Sequence, residues 1–161
     1  MKLYLVQHGD AVPKEVDPQR PLSAKGRADV RRMASFLDKS GVRVARILHS
    51  GKKRAEQTAE LLAASVGTGE GPEKASGIDP LDPTERLARA VDGWTEDTMV
   101  VGHLPFMGKL ASHLVTEGEA GETAAFRPGT VLCLEPGEEG KWAIAWMIRP
   151  ELLADRDPKD A

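Results

Sequence analysis

Three short apolar runs alternate along the chain with segments of helical periodicity. The runs are KLYLV (2–6), ARIL (45–48) and TMVVG (98–102), and a helix-like segment follows each of them, directly or after a loop. Apolar runs that alternate with amphipathic helices are typical of a sheet that helices cover. The pattern therefore predicts an α/β fold with these runs as strands.

Apolar residues spaced three and four positions apart predict three helices. The helices are expected over 23–39, 51–66 and 105–116. Ser23 is placed to cap the first helix, and Gly41 lies past its end. Ser50 is placed to cap the second helix, and Pro105 occupies the first turn of the third, where proline is tolerated.

The remaining segments predict a loop, a short helix and a hairpin. Residues 67–83 are rich in Gly and Pro, which indicates an irregular surface loop, and a short helix is expected over 84–92. Near the C-terminus, TVLCLE and KWAIAWMI flank PGEEG, which predicts an antiparallel hairpin. The bulky residues of its second strand should form one face on the core: Trp142, Ile144, Trp146 and Ile148.

Length and composition are those of one compact domain. The chain has 161 residues, 40% of them hydrophobic, and we expect a single domain over 1–150 and a charged tail over 151–161 that frays after Leu153. The net charge of −3 argues against a nucleic-acid surface, and no window approaches the 18 apolar residues of a membrane span. Cys133 is the only cysteine, which fits a reducing cytoplasm. Together these features predict a soluble cytoplasmic protein without nucleic-acid or membrane partners.

Residues with side chains suited to phosphate chemistry follow all three predicted strands. His8 follows the first strand, Ser50 and Arg54 follow the second, and His103 follows the third. In open parallel α/β sheets, ligands bind beyond the carboxyl ends of the strands. These four residues are therefore candidates for a single site.

The segment after the second strand predicts an anion site. It combines exposed amides at a helix start with the charges of Lys52, Lys53 and Arg54. Arg54 is the best direct ligand, because a guanidinium matches two phosphate oxygens. Taken alone, the segment also fits an ordinary exposed helix start with basic residues.

His8 is ambiguous alone, since a histidine beside a strand is often a structural residue. Gly9 next to it allows a ligand to approach the backbone, and a neutral imidazole is a nucleophile near pH 7 without a base. His103 also follows a glycine and can donate a hydrogen bond to the same phosphate. A metal site is disfavoured, because HExxH and close Cys/His spacings are missing and Arg54 would repel a cation.

Four blocks of sequence resemble the histidine phosphatase superfamily, and specifically its small SixA-like phosphohistidine phosphatase branch. The blocks, in order, are VQHGDAV, DPQRPLSAKG, ILHSGKKRAEQTAELL and VVGHLPFMGKLASHL. The resemblance implies a phosphoglycerate-mutase-like fold of three layers, with a central mixed, mainly parallel sheet, and no metal or organic cofactor. It implies that His8 is phosphorylated during turnover, that Arg54 and His103 form the phosphate pocket, and that Arg20 reaches the site.

Gln7 departs from the family pattern, whose first motif is Arg-His-Gly. Replacing a charge-assisted contact by a neutral amide should lose about 1.5 to 3 kcal/mol, or roughly ten- to a hundredfold in rate. Gln7 can still donate one hydrogen bond. We expect it to bind substrate together with Gly9, Arg20 and Ser50.

Three functions remain open at this point. The first is a phosphatase that removes phosphate from a histidine-phosphorylated protein domain in signal transduction or phosphocarrier transfer, with inorganic phosphate as product. The second, suggested by Gln7, is a catalytically weak phosphate- or phosphoprotein-binding module, and the third is a small-molecule phosphomonoesterase. The chain has no long insertion that carries an obvious general acid, and Asp10, Asp79 and Glu85 are the carboxylates to test.

Overall fold

Six strands and four helices make up the described part of this computed structural model, residues 1–116 and 121–155. The strands are β1 (Leu3–Gln7), β2 (Arg46–His49), β3 (Glu73–Lys74), β4 (Thr98–Gly102), β5 (Val131–Pro136) and β6 (Trp142–Ile148). The helices are α1 (Ala24–Lys39), α2 (Lys53–Val66), α3 (Glu85–Val91) and α4 (Phe106–Thr116). These elements confirm the predicted α/β class, and α4 begins one residue later than predicted.

The six strands form one mixed sheet in the order β3-β2-β4-β1-β5-β6. β1 to β4 are parallel, and β5 and β6 are antiparallel to their neighbours. Gln7 lies opposite Gly102 and His49 lies opposite Val101, so the carboxyl ends of β1, β2 and β4 share one edge. The predicted loop over 67–83 is wrong at β3, whose two residues pair with β2, a long-range contact without a local sequence signal.

The sheet is the middle of three layers because its side chains alternate between two cores. Leu5 and Val100 point into a cluster that α3 and α4 cover, whereas Val6 and Val101 point into a cluster that α1 and α2 cover. Both faces of the central strands are therefore buried. This explains why their sequences are continuous apolar runs.

The first two helices begin in different ways. The Ser23 hydroxyl accepts the Gly26 N–H at 3.0 Å, which confirms Ser23 as the cap of α1. The predicted cap of α2 is wrong, because its N-cap residue is Lys52 and no side chain caps it. Ser50 lies two residues earlier, where its hydroxyl accepts the Lys52 N–H at 3.3 Å and lies against His103.

The predicted C-terminal hairpin is confirmed, but the predicted packing of its second strand is wrong. A bulge at Ala145 shifts the pairing of β6 with β5 and so exchanges the faces that alternating residues occupy. Trp142 packs into the cluster under α3 and α4, whereas Trp146 and Ile148 pack against the other cluster. Ile144 is left 42% exposed.

A short 3-10 helix, Pro150–Leu152, spans the predicted domain boundary at residue 150. Leu153 then packs against the cluster under α1 and α2. Residues 156–161 of the predicted tail lie outside the described residues. Within the described ranges, no helix has the length and apolarity that a membrane crossing requires.

The N-terminus of α1 packs directly on the backbone of the loop after β1, and this contact is testable. A Cβ on Gly26 would overlap the carbonyl oxygen of Asp10, so we expect Gly26→Ala to lower the free energy of unfolding by about 1 to 3 kcal/mol. Gly108→Ala in α4 is the matched control, since its Cβ would meet only the Leu104 side chain at 3.8 Å. Helix propensity predicts that the free energy of unfolding of this control variant rises by up to about 1 kcal/mol. Equal stabilities in urea denaturation would contradict the close approach.

Candidate active site

Four of the predicted site residues meet at the carboxyl edge of β1, β2 and β4. The His8 N–H donates to the Gly102 carbonyl at 2.9 Å, and the rings of His8 and His103 lie 5.0 Å apart at 53°. The Ser50 hydroxyl lies 2.6 Å from Nε2 of His103, and Nε of Arg54 donates to Nε2 of His8 at 3.3 Å. Two histidines, a hydroxyl and a guanidinium therefore form one cluster.

The hydrogen bonds of His8 define which ring nitrogen carries the proton and which carries the lone pair. Nδ1 lies 2.7 Å from the carbonyl oxygen of Gly9, which can only accept, so Nδ1 carries the proton. Nε2 then carries the lone pair, and this lone pair accepts from Arg54. The pKa of His8 is lowered to about 4, mainly by burial and also by the charges of Arg54 and Arg20, against the opposing hydrogen bond with Gly9. The ring is a neutral nucleophile at pH 7.

His103 is neutral and almost fully buried. Its pKa is lowered to about 3, mainly by burial, then by repulsion from the His8 ring when that ring is protonated, and also by the charges of Arg54 and Lys52. Its Nδ1 and the Oε1 atom of Gln7 are buried, and neither has a hydrogen-bond partner among the described residues. Unpartnered buried polar atoms are uncommon and require an explanation, and a functional site is one such explanation.

Arg20 reaches the site from the loop between β1 and α1. Its backbone has φ of 47°, a left-handed conformation that is uncommon outside glycine, and its Nε donates to the Val12 carbonyl at 3.2 Å. Its charge lowers the pKa of both His8 and Arg54, although burial has the larger effect on each. The charges of two guanidinium groups, Arg54 and Arg20, therefore act on His8 even though residue 7 is glutamine.

Thr58 is a positioning residue that sequence reasoning missed. Its hydroxyl donates to the Arg54 carbonyl at 2.7 Å and accepts the Gly9 N–H at 3.0 Å, so it ties the loop after His8 to α2. It is fully buried. Thr58 lies three residues after Ala55 on the apolar stripe of its helix. A hydroxyl group at a position of this apolar stripe is the sequence feature that could have identified Thr58.

Packing requires a glycine at position 9, and its predicted contact with substrate stays a prediction. A Cβ on Gly9 would lie 2.8 Å from the Val30 side chain, and the Gly9 N–H already bonds to Thr58. On the other side of β1, the Gly129 N–H lies 3.0 Å from the carbonyl oxygens of both Gln7 and His8. Nothing local in the sequence indicates this second contact.

Two of the candidate carboxylates belong to hydrogen bonds with residues outside the cluster. Asp10 accepts the Ser23 hydroxyl at 2.6 Å, and its charge raises the pKa of His8 against the larger effect of burial. Asp79 belongs to a turn in which its N–H bonds to the Asp82 carboxylate at 2.8 Å. Within residues 1–116 and 121–155, no three His, Cys, Asp or Glu side chains are grouped to hold a metal ion.

Comparisons with known proteins find similarity to one superfamily. The family described as the histidine phosphatase superfamily (branch 1) matches residues 3–78. The phosphohistidine phosphatase SixA of Escherichia coli (strain K12) is 28% identical, and the match covers 93% of this chain and 94% of that protein. These two matches confirm the resemblance to the superfamily and its SixA-like branch.

Solved structures of the same fold cover nearly the whole chain. The protein histidine phosphatase SixA complexed with tungstate has a TM-score of 0.84 at 24% identity, over 96% of this chain and all of that one. A phosphoserine phosphatase from Entamoeba histolytica in complex with phosphoserine has a TM-score of 0.72 at 13% identity, over 95% of this chain and 99% of that one. These neighbours confirm the three-layer fold with a mixed sheet.

The two buried neutral histidines should make stability depend on pH. His8 and His103 have pKa values of about 4 and 3 in the folded protein, against 6.5 for an exposed histidine. Between pH 6.5 and 4 the unfolded chain binds more protons, so the free energy of unfolding should fall as the pH falls through this window. Urea denaturation at several pH values measures how steeply the free energy of unfolding depends on pH. His103→Gln should lower the difference in bound protons between the unfolded and folded chain by about one. A slope that His103→Gln leaves unchanged would contradict the neutral buried ring.

Proposed function

We propose, from the premise that this chain is a phosphatase of the histidine phosphatase superfamily, that it hydrolyses phosphohistidine on signalling or phosphocarrier proteins. The observation that carries the proposal is the neutral His8 ring, whose Nε2 lone pair faces the Arg54 guanidinium at 3.3 Å. Such a pair holds a nucleophile and a phosphate ligand within reach of one phosphorus atom. The proposal includes a cytoplasmic location, which rests on the single cysteine of the sequence.

The reaction proceeds in two transfers. In the first, Arg54 exchanges its hydrogen bond with Nε2 of His8 for one with a phosphoryl oxygen, and the freed Nε2 lone pair attacks phosphorus. A P–N bond to His8 forms, and the P–N bond to the substrate imidazole breaks. The bonding electrons stay on the departing substrate nitrogen, and the proton lies on the other nitrogen of that ring, so the imidazole leaves as a neutral ring. In the second, a water oxygen forms a bond to the phosphorus of phospho-His8 and the P–N bond breaks, so that its electrons return to Nε2. Both water protons leave on the inorganic phosphate, and His8 keeps the proton on Nδ1.

Charge stabilisation in this mechanism comes from the basic groups around His8. Arg54 and Arg20 neutralise the phosphoryl oxygens, and His103 donates a hydrogen bond from the nitrogen that Ser50 does not occupy. Gln7 contributes its amide N–H₂ as a neutral donor. Ser50 and Thr58 act through other residues, since Ser50 orients His103 and Thr58 holds the loop that carries His8.

The leaving group favours a P–N bond over a phosphate ester. Within the described residues, no carboxylate hydrogen-bonds to His8 or His103, and Asp10 bonds to Ser23 instead. An ester needs a general acid for its alkoxide leaving group, whereas a protonated imidazole leaves as a neutral ring. The similarity to a relative named as a phosphohistidine phosphatase supports the same choice.

Trapping the phosphoenzyme tests the proposal. After incubation with a histidine-phosphorylated phosphorelay domain and quenching in base, we expect acid-labile, base-stable phosphate on His8 and release of inorganic phosphate. His8→Ala should abolish both signals, because no nucleophile remains. Binding without phosphate release would favour the phosphoprotein-binding module. A higher kcat/KM for a free phosphomonoester would favour the small-molecule phosphatase.

Restoring the charge at residue 7 is a second test. We expect Gln7→Arg to raise the rate of phosphate release roughly ten- to a hundredfold, because a charge-assisted contact replaces a neutral one in the transition state. Gln19→Arg is the matched control, since it adds the same charge at an exposed loop position. No gain with Gln7→Arg, or an equal gain with the control, would show that residue 7 does not limit the rate.

A further inference from the structure

Two lysines at the start of α2 have different surroundings, although the sequence alone does not distinguish between them. Lys53 lies 4.0 Å from the Glu56 carboxylate, so its charge is paired within the first turn of the helix. Lys52 is exposed, and among the described residues no carboxylate forms an ion pair with it. The charge of Lys52 is therefore available to a ligand.

The loop between β2 and α2 holds the backbone of Lys52 beside His103. Gly51 turns the chain with φ of 90°, a left-handed conformation that favours glycine, and its N–H donates to Nδ1 of His49 at 3.1 Å. The Lys52 N–H then donates to the Ser50 hydroxyl at 3.3 Å, and this hydroxyl lies 2.6 Å from Nε2 of His103. The Cα atom of Lys52 is therefore at most about 7.4 Å from that ring nitrogen, which is the length of the N–Cα bond and the two hydrogen bonds placed end to end.

The charge of Lys52 acts on the His103 ring. Burial has the largest effect in lowering the pKa of His103, and the charge of Lys52 is one of those that lower it further. The flexible four-carbon stem of a lysine brings its ammonium within reach of a phosphoryl group beside this ring. Lys74 acts on a different ring, since its side chain covers Gly51 and its charge adds to the larger effect of burial in lowering the pKa of His49.

Gln7 and Lys52 belong to elements on opposite sides of His103. The strand before His103, β4, lies between β1, which ends at Gln7, and β2, which leads into the loop of Lys52. The buried Oε1 atom of Gln7 has no hydrogen-bond partner among the described residues, and an amide oxygen can only accept. It offers nothing to an unprotonated phosphoryl oxygen, and the amide N–H₂ is a neutral donor. Residue 7 therefore adds no charge from the β1 side, whereas Lys52 can add one from the β2 side.

We propose that Lys52 binds the transferring phosphoryl group and supplies positive charge that Gln7 does not. The inference rests on the proposed function, in which the phosphoryl group is transferred to His8. The Lys52 ammonium donates a charge-assisted hydrogen bond to a phosphoryl oxygen and keeps its protons throughout the transfer. Its charge acts together with that of Arg54, which lies two residues later in the same helix start.

Removing the ammonium while keeping most of the side-chain length tests this role. We expect Lys52→Met to lower kcat/KM for phosphoramidate, a small compound with a P–N bond, about tenfold, because a charge-assisted contact is lost in the transition state. The Kd of inorganic phosphate, measured by isothermal titration calorimetry, should rise about tenfold. Lys52→Arg retains the charge and should stay within about threefold of the wild type in both measurements. Lys53→Met is the matched control and should change both by less than about twofold, since that charge is already paired.

The same change in the Gln7→Arg variant tests whether Lys52 compensates for the glutamine. A guanidinium at residue 7 would already neutralise phosphoryl oxygens, so Lys52→Met should lower kcat/KM for phosphoramidate only about threefold or less in that background. A tenfold loss in both backgrounds would show that the two positions act independently. That result would overturn the compensation.

The two measurements separate the role of Lys52 from the proposed function. If Lys52→Met leaves both kcat/KM and the Kd of phosphate unchanged, the role of Lys52 is wrong and the proposed function stands. An equal loss in Lys53→Met, or no recovery in Lys52→Arg, would show that a charge at position 52 is not the cause and would also overturn the inference. A wild-type protein that binds phosphate through Lys52, but hydrolyses neither phosphoramidate nor a histidine-phosphorylated domain, would overturn the proposed function and support the contact.

Discussion

The parallel pairing of β4 with both β1 and β2 is the constraint on which the site depends. It sets Gln7 opposite Gly102 and His49 opposite Val101, so the residues that follow these three strands emerge together. His8 and His103 are distant in sequence, yet their rings lie 5.0 Å apart. A slip of β4 by one residue would turn His103 to the other face and exchange the side chains that each of the two cores receives. The alternation of the strand side chains between the two cores therefore fixes the geometry of the site.

Burial is the second physical condition of the site, and it acts in two directions. It keeps the rings of His8 and His103 neutral near pH 7, which suits one ring for attack and the other for hydrogen bonding. The same burial costs free energy, because charged histidines in the unfolded chain are stabilised by water. Hydrogen bonds of Thr58 and Gly129 hold the backbone on either side of His8 and stabilise the buried position of its ring.

The charge of Arg20 changes the interpretation of Gln7, which the sequence motif presents as the loss of a positive charge. A neutral residue at position 7 removes a charge beside the nucleophile, but the charges of Arg20 and Arg54 still act on His8. A site on which two guanidinium charges act from separate elements remains suited to a phosphoryl group.

The sequence by itself determined the α/β class, the central strands, the main helices and the residues that the strands deliver to one edge. These features follow from local periodicity and from chain order, which is why His8, Arg54 and His103 could be named. Tertiary structure alone decided the pairing of β3, the bulge at Ala145, the role of Ser50 beside His103, and the Thr58 bridge. Each of these depends on partners far away in the chain, and single-sequence periodicity carries no information about such partners.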